Sequence, residues 1–185
     1  MALFIVLVIV VLFGFLSYYS IQKTPQIGNN LAYAISPMTL TSSAFRDNEV
    51  IPRKYTCEAA GARVPLTIGD VPYDTKSLAL VVDDPDAPSG TFTHWTVWNI
   101  SPTTTEITEK GLPAGAVEGM TSFGKIGWGA PCPPLGTHRY YFKLYALNSL
   151  LNLPATTTLQ ALTSEIQSSL LAQVTLRGSY TKRGK

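Results

Sequence analysis

Short apolar runs separated by proline- and glycine-rich turns are the feature that most constrains the fold of this chain. Residues 78–82 (LALVV), 95–100 (WTVWNI) and 140–147 (YYFKLYAL) have the aliphatic, aromatic and β-branched character of buried strands. Thirteen prolines and fourteen glycines among 185 residues supply frequent turns. The first run ends at a DDPDAP segment, whose two prolines cannot continue a sheet ladder. We therefore predict a mostly β fold.

One helix is predicted near the C-terminus of this β chain. Thr158 can cap a segment in which apolar residues recur at helical spacing, namely Leu159, Leu162, Ile166 and Leu170. Residues 172–176 then alternate apolar and polar side chains, which predicts a last strand. Residues 101–135 form a long segment between strands, and such loops are often functional. The whole pattern predicts a β-sandwich-like domain with a peripheral helix.

The N-terminal segment differs in kind from the rest of the chain. Residues 1–22 contain no charged side chain, and this apolar length is just sufficient for a transmembrane helix. Tyr18 and Tyr19 lie where an interfacial aromatic belt would be. We predict a transmembrane anchor, and a signal peptide cleaved after Ala34 is the alternative.

A linker and a folded domain are predicted to follow the anchor. Residues 23–36 contain Pro25, Gly28 and no clear periodicity, so we interpret them as a linker before a domain at 37–185. The domain is expected to be extracytoplasmic, or secreted or periplasmic after cleavage, although the single Lys23 argues weakly for the cytoplasm. The net charge of +2 gives no indication of nucleic-acid binding.

The chain has two histidines, and each begins a strand-like run directly after a turn. Strand alternation places His138 and Tyr140 on one face and Arg139 on the other. The same alternation groups His94 with two later residues of its own strand, Thr96 and Trp98.

Three carboxylates lie within four residues of the chain, at Asp83, Asp84 and Asp86. They repel one another, so they need positively charged or hydrogen-bonding partners nearby. We predict that Arg139 pairs with Asp86 behind a pocket floor, and that Asp84 orients or polarises a histidine. A neutral imidazole N–H, a tyrosine hydroxyl and loop backbone N–H groups can together hold a phosphate or carboxylate. The predicted ligand-binding residues are therefore Asp84, Asp86, His94, His138 and Tyr140.

Two sequence blocks resemble the signature segments of the phosphatidylethanolamine-binding protein family, also called Raf kinase inhibitor protein-like. Residues 84–88 (DPDAP) followed by His94, and residues 136–140 (GTHRY), occur in the order and at about the spacing of that family. Residues 129–134 (GAPCPP) are similar to its bacterial and archaeal branch. The resemblance covers nearly all of residues 38–182.

This resemblance implies a large antiparallel sheet packed on a smaller one with peripheral helices, here preceded by the predicted N-terminal hydrophobic helix. It implies a pocket for phosphate-like groups, including phospholipid headgroups, lined by Asp84, His94, His138 and Tyr140 with Asp86 beside them. Arg139 and Pro88 would give structural support. Some members of the family inhibit proteases or kinases, so a regulatory surface around the pocket is an alternative function. No cofactor is implied.

Cys57 and Cys132 are the only cysteines, and their spacing leaves open whether they form a disulfide. Cys132 lies six residues before His138, so a Cys/His-dependent hydrolase is a third hypothesis. A metal site formed by the two histidines with Asp84 and Asp86 is chemically conceivable but ranks below anion binding. We therefore predict a binding or regulatory protein with no bound metal.

Overall fold

A computed structural model describes residues 37–183, and the predicted anchor at 1–22 and the linker at 23–36 lie outside this range. Within it, no helix is long and apolar enough to cross a membrane. The strands are β1 (Thr39–Thr41), β2 (Glu49–Val50), β3 (Leu66–Gly69), β4 (Ser77–Asp84), β5 (Phe92–Ile100), β6 (Glu106–Ile107), β7 (Val117–Glu118), β8 (Thr137–Leu147) and β9 (Leu170–Thr181). The helices are a 3-10 turn at Arg53–Tyr55 and the α-helix α1 at Leu159–Ser168.

These strands form two sheets, as predicted. A six-stranded sheet has the order β2-β9-β8-β4-β5-β7, and a three-stranded sheet has the order β1-β3-β6. Neighbouring strands are antiparallel except for the two-residue β2, which pairs parallel to β9. The described part of the chain contains one α-helix where the resemblance implied several.

Strand β4 lies at the centre of the large sheet, which explains its continuous apolar sequence. All eight of its residues are buried, because both faces are covered. Leu80 and Val82 belong to the core between the two sheets. Ala79 and Val81 face the other way, toward a smaller apolar cluster that includes Leu162 and Ile166 of α1. In α1, Leu162 and Ile166 are the buried residues, so one stripe of the helix packs on the sheet.

Helix α1 begins where its capping residue predicts. The side chain of Thr158 accepts a hydrogen bond from the Ala161 N–H at 3.3 Å. The helix ends at Ser168, and Leu170, which was expected at helical spacing, instead begins β9. The apolar Leu170 side chain fits the helical repeat and the strand repeat equally well. The sequence pattern therefore placed the end of the helix too late.

Gly178 in β9 provides a test of the packing between β9 and the segment that precedes the 3-10 turn. A Cβ atom at this position would lie 2.6 Å from Ile51 Cγ1 and 2.8 Å from Phe45 Cε2. We expect Gly178→Ala to lower the free energy of unfolding by about 1–3 kcal/mol through overpacking, measured by urea denaturation. Gly111→Ala is the matched control, because a Cβ there meets no atom within 4 Å. Equal stabilities for the two variants would contradict this packing.

Candidate ligand-binding site

The end of β4 and the start of β8 bring an aspartate and a histidine together. The two strands are antiparallel neighbours, and Asp83 is opposite Tyr141 in the register. One residue further along β4, Asp84 Oδ2 lies 2.6 Å from His138 Nδ1, and both side chains are buried. The second oxygen, Asp84 Oδ1, accepts the Asp86 N–H at 2.8 Å. Asp84 therefore orients His138, as the sequence predicted.

Asp86 faces Arg139 rather than the pocket. Its Oδ2 accepts from the Arg139 backbone N–H and from Nε, at 2.9 and 2.8 Å, and its Oδ1 accepts from Nη2 at 2.6 Å. The Arg139 guanidinium lowers the pKa of Asp86 to about 2. The structure thus shows the predicted Asp86–Arg139 pair, and it places Asp86 beside the pocket rather than in its lining.

A β-bulge in β5 determines where His94 points. In the register of β4 with β5, Val82 is opposite Trp95 but Asp83 is opposite Thr93, which makes His94 the extra residue. The bulge turns the His94 ring toward Tyr140, with the ring centroids 5.2 Å apart. A bulge shifts side-chain alternation by one residue.

The predicted grouping of His94 with Thr96 and Trp98 is therefore wrong. Trp98 packs in the cluster that contains α1, on the opposite side of the sheet from Tyr140. Trp95 and Val97 instead belong to the core between the sheets, on the side to which His94 turns.

The loop before β8 forms one wall of the site and is held against His94. His94 Nδ1 donates to the Gly129 carbonyl at 2.8 Å, and the Gly129 N–H donates to the His94 carbonyl at the same distance. The Trp128 indole N–H donates to the Gly61 carbonyl at 2.9 Å. Burial lowers the pKa of His94, so the pairing with a neutral carbonyl leaves a neutral imidazole.

A disulfide fixes the same loop from its other side. Cys57 and Cys132 are bonded, with their Cα atoms 5.3 Å apart. The Cys57 N–H also donates to the Pro131 carbonyl at 3.0 Å. Because the Cys132 sulfur is bonded to Cys57, it cannot supply the thiolate that a Cys/His-dependent hydrolase would need.

These elements enclose a cavity of about 230 Å³ with mostly apolar walls. Its lining consists of Asp84, Ala87, Pro88, Ser89, Phe92, His94, Phe123, Cys132, Pro134 and His138. Phe92 could have been found from the sequence, since it precedes His94 by two positions. Phe123 lies in the long loop, where no periodicity indicates the direction of a side chain.

Tyr140 lies next to His94 and is completely buried. Its hydroxyl has no hydrogen-bond partner among residues 37–183. Burial raises the pKa of Tyr140 well above its usual range, and the negative charge of Asp84 adds to the effect. Tyr140 is not among the residues that line the cavity, so the structure places its hydroxyl beside the site rather than in its lining.

The histidine hydrogen bonds differ from the sequence prediction in one important respect. A carboxylate accepts at His138 Nδ1 and a carbonyl accepts at His94 Nδ1. When neutral, each ring therefore carries its hydrogen on Nδ1 and has none on Nε2. The prediction that a neutral imidazole N–H would hold the ligand is wrong, because that hydrogen is already bonded within the protein.

The Tyr140 hydroxyl gives a test of its role. We expect Tyr140→Phe to leave the free energy of unfolding unchanged within about 1 kcal/mol, or to raise it, because no protein hydrogen bond is lost. The same variant should weaken phosphate binding if the hydroxyl contacts the ligand. Thermal denaturation and calorimetric titration measure the two effects. A large loss of stability would show that the hydroxyl has a protein partner.

The fold defines a class: a two-sheet β domain with a ligand-sized pocket at one end of its large sheet. The chain matches the phosphatidylethanolamine-binding protein family over residues 41–181 and belongs to that family. The resemblance seen in the sequence is thereby confirmed.

Relatives in archaea and bacteria agree with this assignment. A UPF0098 protein of Methanothermobacter thermautotrophicus is 40% identical over 150 residues, covering 78% of this chain and 99% of that protein. The crystal structure of a phosphatidylethanolamine-binding protein homolog from Chlamydia trachomatis is 38% identical, with a TM-score of 0.76 over 80% of this chain and 99% of its own. E. coli YbcL, described as a member of the mammalian family, is 30% identical, with a TM-score of 0.75 over 80% of this chain and 100% of its own.

Proposed function

We propose that this protein binds a phosphoryl anion in the pocket, acting as a binding protein rather than an enzyme. The ligand is a phosphorylated small molecule or a phospholipid headgroup, in keeping with the family name. The observation that carries the proposal is the buried Asp84–His138 contact at 2.6 Å. His138 lines the pocket with the Asp84 carboxylate directly behind its ring, an arrangement that favours a charge-assisted hydrogen bond from the imidazole to an oxyanion.

The apolar walls support an organic phosphate as the ligand. Phe92 and Phe123 meet edge to face, with their centroids 4.8 Å apart, and Pro88 and Pro134 complete the lining around them. A phosphoryl group at the two histidines would leave its organic substituent against these side chains. This division of polar and apolar contacts is usual for small-molecule pockets.

Ligand-dependent thermal stability tests the proposal. Millimolar phosphate or O-phosphoethanolamine should raise Tm, since a ligand at one hundred times its Kd stabilises the native state by about 2.7 kcal/mol. Sodium chloride at matched ionic strength is the control and should have little effect. The proposal fails if neither phosphoryl compound raises Tm above the sodium chloride value.

A second candidate function is inhibition or regulation of a protease or kinase through the surface around the pocket. The long loop exposes three large apolar side chains: Phe123, which lines the pocket, together with Ile126 and Leu135. Leu135 is 83% exposed and adjoins the pocket-lining Pro134. Leu135→Asp should then relieve the inhibition of a target enzyme without changing phosphate affinity. A target inhibited equally by both forms would argue against this surface.

We also propose that residues 1–22 anchor the domain to a membrane and that the domain lies outside the cytoplasm. The Cys57–Cys132 disulfide supports this location, because such bonds persist in oxidising compartments. Protease treatment of intact cells should digest the anchored domain. If the N-terminal segment is cleaved, the domain should instead be recovered outside the cytoplasm, released from the membrane. A domain protected until the cells are lysed, with free thiols at both cysteines, would contradict the proposal.

A further inference from the structure

The two histidines differ in what their Nε2 atoms can offer a ligand. Both Nδ1 atoms are bonded within the protein, to the Asp84 carboxylate for His138 and to the Gly129 carbonyl for His94. Neither Nε2 has a hydrogen-bond partner among residues 37–183, and both residues line the cavity. A ligand that fills the cavity and displaces solvent from these two atoms must therefore offer each a hydrogen-bond partner, since a buried polar group left unpaired is costly.

His94 can present only an acceptor. Its partner is a neutral carbonyl, and its ring is packed among Phe92, Phe123 and Tyr140, with centroids between 5.2 and 5.4 Å away. The titratable groups that influence it are Asp83 and Asp84 of β4 and His138 of β8, and burial outweighs them, so that the pKa of His94 is lowered. A neutral His94 with its hydrogen on Nδ1 accepts at Nε2 and cannot donate there.

His138 can present a donor. Its Nδ1–H faces the acceptor-only carboxylate of Asp84, so a second proton on Nε2 gives an imidazolium with an anion directly behind it. That Nε2–H would donate to an anionic oxygen of the ligand. The two histidines thus present one acceptor and one donor rather than two donors.

We propose that the pocket selects a phosphoryl group that carries one proton, as hydrogen phosphate or as a phosphate monoester in its monoanionic form. The P–OH donates to His94 Nε2, and an anionic oxygen accepts from His138. The proposal rests on the proposed function above and narrows its ligand class. A phosphodiester, as in the headgroup of an intact phospholipid, has no P–OH, and neither does sulfate at neutral pH.

Paired ligands test this selection on the full-length protein. O-phosphoethanolamine is a monoester, and glycerophosphoethanolamine carries the same amine on a diester, so the pair also separates a free metabolite from a lipid headgroup. By calorimetric titration at about pH 6, we expect the monoester to bind about 10- to 100-fold more tightly, since the diester leaves His94 Nε2 unpaired. Inorganic phosphate should resemble the monoester, and sulfate should resemble the diester.

The pH dependence of the ratio of monoester to diester affinity tests the contact with His94. Both ligands place an anionic oxygen at His138, so the contribution of this contact cancels in the ratio of their affinities. The monoanionic fraction of a monoester falls about tenfold per pH unit well above its second pKa of about 6, so the ratio should fall in proportion between about pH 7 and 8. His94→Phe keeps the aromatic packing and should bring the ratio close to one. Arg177→Ala, which changes an exposed ion pair with Asp47 outside the pocket lining, should preserve it.

The outcomes separate this proposal from the proposed function. Equal or tighter binding of the diester, or a ratio that does not change with pH, overturns the selection of the protonated form and leaves phosphoryl binding intact. Binding of neither ligand, nor of phosphate, overturns both.

Discussion

Replacing Cys57 and Cys132 together by serine is expected to lower the free energy of unfolding by about 4 kcal/mol. The disulfide joins residues 75 positions apart, and closing a loop of that length restricts the unfolded chain by about this amount in the chain-entropy model. Measured losses for native disulfides are usually about 2–5 kcal/mol. Urea denaturation of the variant and of the oxidised and reduced wild type measures the effect.

The same variant should also weaken ligand binding, because the disulfide holds a wall of the pocket. Cys132 lines the cavity, and three residues earlier Gly129 holds His94 through two hydrogen bonds. A freed loop would leave His94 less fixed and widen the site. Adding a reductant should lower both the stability and the ligand affinity of the wild type. It should change neither property in the serine variant. A serine variant as stable as the oxidised wild type would show that the bond does not constrain the native protein.

The sequence predicted the parts of the site that depend on strand alternation and on charge. His138 and Arg139 are adjacent in β8 and point to opposite sides, so one reaches Asp84 and the other reaches Asp86. Regular alternation across a continuous strand is visible in a single sequence. The prolines after Asp84 likewise predicted that β4 ends at the site.

The position of His94 could not be obtained in the same way. The bulge that turns it is a property of the pairing between β4 and β5, and the sequence of one strand does not reveal it. The hydrogen on its Nδ1 depends on a carbonyl 35 residues away in an irregular loop. The disulfide was equally open, because spacing along the chain does not fix the distance between two Cα atoms. Contacts of this kind come from tertiary packing.

His138→Gln is expected to weaken phosphate binding about 100-fold. The variant removes the ring nitrogen that can carry a positive charge toward the ligand, and a hydrogen bond from a charged donor contributes about 1.5–3 kcal/mol. Glutamine is preferred to alanine because its amide N–H can still donate to Asp84. His138→Ala would leave that carboxylate, only 3% exposed, without its partner and would mix a folding defect with the binding effect.

Stability and affinity together make this test decisive. Thermal denaturation should show His138→Gln close to the wild type and His138→Ala well below it, whereas calorimetric titration should show both with weak phosphate binding. Arg177→Ala also removes one positive charge, and its exposed side chain lies outside the pocket lining, so it should retain affinity if the anion is bound by His138 rather than by the general charge of the protein. Unchanged affinity in His138→Gln would place the phosphate elsewhere, because no other residue lining the cavity can carry a positive charge except His94, which burial keeps neutral.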